Sequence, residues 1–266
     1  MPSKKDGSTD SVIMEKEARL RAWFTRKCDP VLKVIDGLDI GWGGVQRWVT
    51  ARMPAPEGGR HLDFSCGYGT FLAELGWRFP SIPLIGLNID YEGPHGQIRQ
   101  LLAEAGVQAE LVQADARKIA FADGVFSSVS CFMGLQDIKI GFGGDGERAS
   151  LSEATRVLRS DGTMTLVDEY SFDKFDVLLN SLPLRVTERG ERDLDTRWDR
   201  EVAERAIPLY AEGWVAQARV TDPEDRKRIY DKEHARMETE MARQFRNQGY
   251  YVPFGPMRMV IARKIG

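Results

Sequence analysis

A short turn near residue 67 carries the residue types that a nucleotide-binding loop requires. Asp63 lies in an apolar run, Ser65 follows that run, and Gly67 and Gly69 stand two residues apart before an apolar helical pattern begins. Glycine has no Cβ and tolerates positive φ, so a ligand can approach the main chain closely, and the N–H groups of the new helix face that ligand. The spacing predicts a strand, a tight nucleotide-binding turn and a helix.

Polar side chains also follow the later apolar runs of the first 170 residues. Helical patterns separate these runs, and this alternation predicts a parallel sheet with helices on both faces. In such sheets a ligand lies beyond the carboxyl ends of the strands, so the polar groups should lie around one site. In chain order, these groups are Asn88, Asp90, Asp115, Gln136, Asp137, Glu169 and Tyr170.

Residues 61–169 resemble the core of the class I S-adenosylmethionine (SAM) dependent methyltransferases. The resemblance is to the small-molecule branch, which includes the ubiquinone and menaquinone methyltransferases and the N-methyltransferases of glycine-like substrates. It implies an α/β fold: a Rossmann-like, seven-stranded, mostly parallel sheet with helices on both faces and a C-terminal antiparallel hairpin. The matching segments, in order, are residues 62–69, 85–90, 113–116, 119–126 and 156–162.

The resemblance implies a binding site for SAM, and the residue types suit that ligand. Asp63 can attract the ammonium of the methionine part, while main-chain donors near Ser65 can meet its carboxylate. Asp115 would accept a hydrogen bond from the adenine amine, and apolar neighbours would sandwich the ring. The implied cofactor-binding residues are Asp63, Ser65, Gly67, Gly69, Asn88, Ile89, Asp90, Gln97, Asp115, Ala116, Phe132 and Trp42.

Two positions depart from the pattern of the family. Ser65 stands where the first motif usually has glycine, so the turn is less permissive or uses the hydroxyl as a further contact. The acidic ribose-binding residue of the family aligns with Asn88, whose amide carries no charge, and Asp90 follows two residues later. We assign the ribose to Asn88 first and to Asp90 second, with Gln97 as a further contact. A helix N-cap is the alternative role for Asp90.

Four residues after the fourth and fifth strands are candidates for the catalytic centre: Gln136, Asp137, Glu169 and Tyr170. Methyl transfer is an in-line displacement, so the enzyme mainly aligns the acceptor with the methyl carbon and excludes water. A carboxylate could orient an amine or deprotonate a hydroxyl, and Tyr170 could hydrogen-bond the acceptor. Helix capping is the alternative role. A divalent metal held by Asp137, Asp168 and Glu169 is a further alternative, although we expect no metal.

The chain is expected to form an N-terminal segment and one catalytic domain. Residues 1–55 should form a tail and helices that cover the cofactor, with Trp42 and Gln46 near its methionine end. Residues 56–266 should form the methyltransferase domain. A charged segment rich in helix formers predicts a helical insertion near residues 185–220, for which a lid is one role.

The last part of the chain carries a helix signal and a strand signal. Thr221 and the three residues after it have the form of a capping box with an early proline, so a helix should start there and end at Gly249. Residues 250–253 and 257–263 then resemble a closing antiparallel hairpin whose final strand is inserted between its neighbours.

Charge and cysteine usage restrict the partners and the compartment. The 266 residues carry a net charge of −3, and residues 61–170 alone carry −7, which disfavours a nucleic acid as substrate. No apolar run is long enough to cross a bilayer and the start lacks a secretory signal, so no membrane partner is expected. The three cysteines suit reduced thiols, and the predicted location is cytoplasmic.

The sequence therefore predicts SAM-dependent methylation of a small-molecule acceptor. The alternatives are a protein methyltransferase, a SAM-fold enzyme that transfers another group, and a non-catalytic SAM-binding partner. A nicotinamide-dependent oxidoreductase is disfavoured because Leu72 replaces the third glycine of its fingerprint and because the sheet closes with a hairpin. A homodimer remains an alternative to a monomer.

Overall fold

A seven-stranded sheet forms the centre of the protein. The computed structural model describes residues 7–27, 44–56, 58–91, 96–194 and 197–266. The strands are β1 (Arg60–Phe64), β2 (Leu84–Asn88), β3 (Ala109–Gln113), β4 (Phe126–Phe132), β5 (Leu158–Asp168), β6 (Leu184–Arg192) and β7 (Met257–Lys264). Their order is β3-β2-β1-β4-β5-β7-β6, with β1 to β5 parallel and β7 antiparallel to both of its neighbours. The predicted sheet, including the inserted last strand, is confirmed.

Helices cover both faces of this sheet. They are α1 (Gly7–Lys27), α2 (residues 44–50), α3 (Thr70–Arg78), α4 (Ile98–Ala105), α5 (Leu135–Val157), α6 (Phe172–Leu179), α7 (Arg200–Gln217) and α8 (Pro223–Gln248). One apolar core joins the sheet to α1, α3 and α4, and a second joins it to α5 and α6. Because side chains alternate along a strand, neighbouring residues of β1 point to opposite faces.

The alternation in β1 separates apolar from polar side chains. Leu62 and Phe64 belong to the core under α5 and α6. His61 and Asp63 therefore share the other face, where both are 1% exposed. The strand thus places one carboxylate inside the protein at its carboxyl end.

The segment predicted as a helical insertion begins with a strand instead. β6 occupies Leu184–Arg192 and pairs with β7. β6, and not residues 250–253 as predicted, is therefore the antiparallel partner of the last strand. In the structure, Tyr251 forms only a single bridge, with Trp198. The error has a physical reason: β6 is an edge strand whose exposed face carries charged side chains, so its alternation lacks the apolar residues that mark a buried strand.

The helical part of the insertion is formed by α7 and α8, which lie between β6 and β7. They pack on each other around a small separate core that includes Trp198, Met237 and Tyr251. The predicted helix after Thr221 is confirmed. Asp222 caps it by accepting hydrogen bonds from the next N–H groups, and Gly249 ends it with a φ of 80°.

Helix α1 packs against α3 and α4, while α2 contacts α3 and, through Trp48, strand β6. An ion pair joins Glu17 of α1 to Arg47 of α2, and another joins Asp10 to Arg78 of α3. The Thr50 hydroxyl donates to Glu74 Oε1 over 3.2 Å. These contacts attach α1 and α2 to the helix that follows the predicted nucleotide-binding turn.

A Gly86→Ala substitution tests the close packing between β2 and α3. A Cβ at position 86 would lie 2.5 Å from Leu72 Cδ1 and 2.9 Å from Cys66 Sγ. We expect this overpacking to lower the free energy of unfolding by about 1–3 kcal/mol, measured by urea denaturation.

Gly213→Ala is the matched control for this test. Position 213 is helical and has no atom within 4 Å of an added Cβ. We expect its free energy of unfolding to stay unchanged or to rise by about 0.5–1 kcal/mol. Equal losses of stability in the two variants would contradict the packing described here.

Candidate active site

A cavity of about 480 Å³ lies at the carboxyl ends of the parallel strands. β1, β2, β4 and β5 all end at its wall, as expected for a ligand site in an open α/β sheet. The structure brings most of the predicted site residues together there. Those on the wall are Asp63, Ser65, Gly67, Asn88, Ile89, Asp90, Asp115, Ala116, Phe132, Gln136, Asp137 and Glu169.

The remaining predicted residues do not line this cavity. Gly69 shapes the turn before α3 with a φ of 84°, and Gln97 precedes α4. Tyr170 is buried in the core beside Phe175, because it follows Glu169 and points to the opposite side. Its hydroxyl interacts with the buried carboxylate of Glu147 rather than with the cavity. Trp42 lies outside the described residues.

The turn after β1 is held in an unusual backbone conformation. Ser65 has a φ of 75° and Gly67 a φ of 52°, and the former is uncommon for a residue with a Cβ. The N–H groups of Ser65 and Cys66 both donate to the Leu87 carbonyl of β2. The family's glycine at position 65 is thus replaced by a serine that keeps the conformation typical of glycine.

Asn88 fixes the same turn with its side chain. Its Nδ2 donates to the Gly67 carbonyl and its Oδ1 accepts from the Gly67 N–H, each over 2.9 Å. Asp90, in contrast, is part of an ion pair with Arg219 at 3.7 Å, and its side chain is 41% exposed. Asn88 therefore contacts both the turn and the cavity, while Asp90 lies at the rim.

Asp63 carries a carboxylate that is only partly satisfied. Ser130 Oγ donates to Asp63 Oδ1 over 2.8 Å, whereas Asp63 Oδ2 has no hydrogen-bond partner. Burial raises the pKa of Asp63 to about 7, and the hydrogen bond from Ser130 opposes this rise. A buried oxygen without a partner is costly, so this atom is ready to accept a hydrogen bond from a ligand.

Asp115 is held at the wall by a neighbouring guanidinium. Arg117 donates to both of its carboxylate oxygens, with Nη2 at 2.6 Å from Oδ2, and these bonds lower the pKa of Asp115. The Arg117 guanidinium lies 3.6 Å from the ring centroid of Phe142. A carboxylate has about four lone-pair positions, so Asp115 can still accept from a ligand.

Buried acids organise the opposite end of the cavity. Asp168, at the end of β5, accepts from the N–H groups of Gln136 and Glu169, over 3.3 and 2.9 Å. Burial raises the pKa of Asp168 to about 7. By accepting these two hydrogen bonds, Asp168 fixes the two loops that carry the candidate catalytic residues. Sequence reasoning considered Asp168 only as a metal ligand, although an acid that ends an apolar strand was the signal.

Asp137 and Glu169 present carboxylates to this end of the cavity. Asp137 is reached from within the cavity, but enclosure by its walls raises the pKa to about 7, against the effect of a hydrogen bond with Gln217. Glu169 Oε1 accepts from the Gly255 N–H over 2.7 Å, and burial raises the pKa of Glu169. Asp137 can therefore exchange a proton near neutral pH.

Helix α7 closes the cavity from the side of the insertion. Tyr210, Gly213, Trp214 and Gln217 are three, four and seven residues apart, so they lie on one face of α7. None of them was assigned to the site from the sequence. The wall residues from α7 and the loop before β7 are Leu209, Tyr210, Gly213, Trp214, Gln217 and Phe254.

Helix α2 contributes one polar residue to the wall. Gln46 lines the cavity, and its Nε2 donates to Thr70 Oγ1 at the start of α3 over 2.9 Å. Gln46 was predicted to lie near the methionine end of the cofactor. Its contact with Thr70 places it beside the turn that follows β1.

Comparisons with known proteins agree with this geometry. Residues 62–162 match a family model described as a methyltransferase domain. The putative methyltransferase BH2331 from Bacillus halodurans C-125 is 18% identical with a TM-score of 0.56, covering 84% of this chain and 100% of that chain. The YcgJ protein from Bacillus subtilis is 16% identical with a TM-score of 0.53, covering 86% of this chain and 99% of that chain.

A third similar structure is that of the [4+2]-cyclase SpnF. It is 14% identical with a TM-score of 0.55, and the match covers 84% of this chain and 81% of that chain. At these identities the likeness concerns the fold. No curated protein matches this chain significantly.

Residues 62–162 therefore form a methyltransferase domain. Its methyl donor is SAM. The narrower resemblance to ubiquinone, menaquinone or glycine N-methyltransferases stays a prediction.

Over the residues that the structure describes, no three or more His, Cys, Asp or Glu side chains are grouped as metal ligands would be. Within the same ranges, no helix combines the length and the apolar character that crossing a bilayer requires.

The contacts of Asn88 lead to a prediction about cofactor binding. Asn88→Ala removes two hydrogen bonds to Gly67, each worth about 1 kcal/mol, and so loosens the turn. We expect the affinity for S-adenosylhomocysteine, measured by calorimetry, to fall about tenfold or more. Asp90→Ala should cost less, because that side chain is solvated at the rim. A larger loss for Asp90→Ala would reverse the assignment.

Proposed function

We propose that this protein transfers a methyl group from SAM to a small-molecule acceptor that binds beside α7. The observation that carries the proposal is that one cavity unites the cofactor-type residues with carboxylates and aromatic side chains at its other end. Its volume of about 480 Å³ is in the range of small-molecule sites. Methyl transfer requires a chamber of this kind because water must be excluded while two reactants are aligned.

The cofactor end of the cavity fits the parts of SAM. Asp63 has a buried oxygen without a partner, which suits the ammonium of the methionine part. The N–H groups of Ser65, Cys66 and Gly67 donate within the protein, so the first N–H groups of α3 suit the methionine carboxylate. Asn88 suits the ribose. Asp115 and the Ala116 N–H suit the adenine edge, with Ile89 and Phe132 against the ring faces. SAM would supply the electrophilic methyl carbon.

The acceptor end of the cavity provides alignment and a base. The lone pair of the acceptor atom attacks the methyl carbon, the carbon–sulfur bond breaks, and its electron pair stays on the sulfur of S-adenosylhomocysteine. Where the acceptor carries a proton, Asp137 is the group that receives it, since its pKa of about 7 matches the working pH. Glu169 is positioned by Gly255 to orient the acceptor. Asp137 passes the proton on to solvent.

The charges on the wall favour an acceptor without an anionic group. Among the described residues that line the cavity, Arg219 is the only cationic side chain, and it pairs with Asp90. A carboxylate or phosphate on the acceptor would meet Asp137 and Glu169 without a compensating cation. The aromatic rings of Tyr210 and Trp214 suit an amine or a flat neutral molecule.

Formation of S-adenosylhomocysteine tests this function. The protein is incubated with SAM and either the small-molecule fraction or the dialysed macromolecular fraction of a cell extract, and the product is measured by mass spectrometry. We expect turnover with the small-molecule fraction. Turnover only with the macromolecular fraction would point to a protein or nucleic-acid acceptor, and loss of SAM without S-adenosylhomocysteine would point to transfer of another group.

The role of Asp137 leads to a prediction about the pH dependence of the rate. A base works in its ionised form, so the wild-type rate should rise with pH through about 7 and level off above it. Asp137→Asn should lower kcat by about 10²–10⁴-fold and remove this rise. Calorimetry should show little change in S-adenosylhomocysteine affinity.

Asp145→Asn is the matched control on the same helix. Its side chain is 95% exposed and pairs only with Arg148 in an exposed ion pair. Its rate and pH profile should equal those of the wild type. A wild-type profile without a rise near neutral pH would contradict the assignment of Asp137 as base.

A further inference from the structure

A buried row of four polar side chains crosses β1 and β4 behind the cofactor end of the cavity. The sheet register pairs His61 with Ser128 and Asp63 with Ser130. His61 Nδ1 lies 2.7 Å from Ser128 Oγ, His61 Nε2 lies 2.8 Å from Ser130 Oγ, and Ser130 Oγ lies 2.8 Å from Asp63 Oδ1. Each of the four is at most 1% exposed, so water does not compete for these hydrogen bonds.

The chemistry of the groups fixes the direction of every hydrogen bond in this row. An ionised carboxylate only accepts, so the single hydroxyl proton of Ser130 is donated to Asp63. Ser130 Oγ must then accept from His61 Nε2–H, and His61 Nδ1 accepts from the Ser128 hydroxyl. His61 stays neutral, as this arrangement requires, because burial lowers its pKa to about 3. The directions of all three hydrogen bonds thus follow from the ionised state of Asp63.

The row ends at a buried atom that has no hydrogen-bond partner among the described residues and that a ligand in the cavity can satisfy. Asp63 Oδ1 is taken by Ser130, while Oδ2 is buried without a partner and Asp63 lines the cavity. We propose that Ser130 and His61 are positioning residues: they hold the Asp63 carboxylate so that Oδ2 receives the ammonium of the methionine part of SAM. This inference rests on the proposed function, because its ligand is the cofactor of that reaction.

The surroundings of Asp63 make ammonium binding dependent on pH. The titratable groups that interact with it are the thiols of Cys66 and Cys131, whose pKa values burial raises, and His61 through Ser130. All three are neutral near pH 7, so none supplies a positive charge. Since the pKa of Asp63 is about 7, a ligand ammonium binds its ionised form and must displace a proton at lower pH. The affinity should therefore fall as pH falls below 7.

Two ligands separate this effect from other pH effects. S-adenosylhomocysteine carries the amino-acid part, and 5′-methylthioadenosine lacks it but keeps the adenosyl thioether. Calorimetry between about pH 5.5 and about 7.5 stays below the range in which α-amino groups lose their proton. For a carboxyl pKa of about 7, wild-type affinity for S-adenosylhomocysteine should rise about twentyfold over this interval. The affinity for 5′-methylthioadenosine should stay constant, and Asp63→Asn should remove the pH dependence.

Substitutions in the row test the positioning role. Ser130→Ala should lower the affinity for S-adenosylhomocysteine about tenfold or more at about pH 7.5 and leave that for 5′-methylthioadenosine unchanged. The inflection in the pH dependence of the affinity for S-adenosylhomocysteine should move to higher pH, because the hydrogen bond that lowers the pKa of Asp63 is lost. His61→Gln keeps an N–H donor toward Ser130 and should retain the selectivity that His61→Leu loses.

Ser127→Ala is the matched control in the same strand. Ser127 is also buried, but its hydroxyl donates to the Arg60 carbonyl and takes no part in the row. The affinities of this variant for S-adenosylhomocysteine and for 5′-methylthioadenosine should both equal those of the wild type. Equal losses for both ligands in Ser130→Ala, or a wild-type affinity for S-adenosylhomocysteine that is constant with pH, would overturn the inference. These wild-type measurements decide even where a variant does not fold, whereas failure of the wild type to bind either ligand would refute the proposed function instead.

Discussion

The two hydrogen bonds between the Asn88 amide and the Gly67 peptide are the contact on which the cofactor end of the site depends. They join the carboxyl end of β2 to the turn after β1, and Ser65 in that turn has a positive φ that costs free energy. A side-chain amide can accept from the N–H and donate to the C=O of one residue, whereas an ionised carboxylate only accepts. The neutral amide of Asn88 at the ribose position therefore stabilises the turn that contains the strained Ser65.

The two ends of the cavity together enclose several acids with few compensating cations. Burial raises the pKa of Asp63, Asp137 and Asp168 to about 7 in each case. Each acid that is buried in its charged form costs folding free energy, so these groups lower stability near neutral pH. A cationic ligand offsets that cost. The arrangement therefore favours binding of SAM, which carries an ammonium and a sulfonium, and it makes proton exchange possible at the acceptor end.

The sequence predicted the parts of the fold that local patterns determine. β1, β2, β4 and β5 were recognisable because each has a buried apolar run, whereas β3 is only partly buried and was recognised from the short apolar segment before Asp115. Most of the polar residues at the strand ends lie on the cavity wall. β6 was missed because its exposed alternate residues are charged. The side of the cavity facing α7 was missed because Tyr210 and Trp214 reach it only through packing of α7 on α8 and α5, which no local pattern encodes. The pairing of Asn88 with Gly67 is likewise a contact between strands that are distant in sequence.

In the proposed function, the acceptor is recognised largely by α7, which lies outside the matched domain, whereas the cofactor turn lies within it. Residues 62–162 supply the cofactor turn, whereas α7 lies in the insertion between β6 and β7. Gln217 at the end of α7 hydrogen-bonds Asp137, so the insertion positions the proposed base as well as the aromatic wall. A similar fold occurs in the [4+2]-cyclase SpnF, which illustrates that the fold alone does not set the reaction. Changes confined to α7 can therefore alter the acceptor while the turn around Gly67 keeps the same methyl donor.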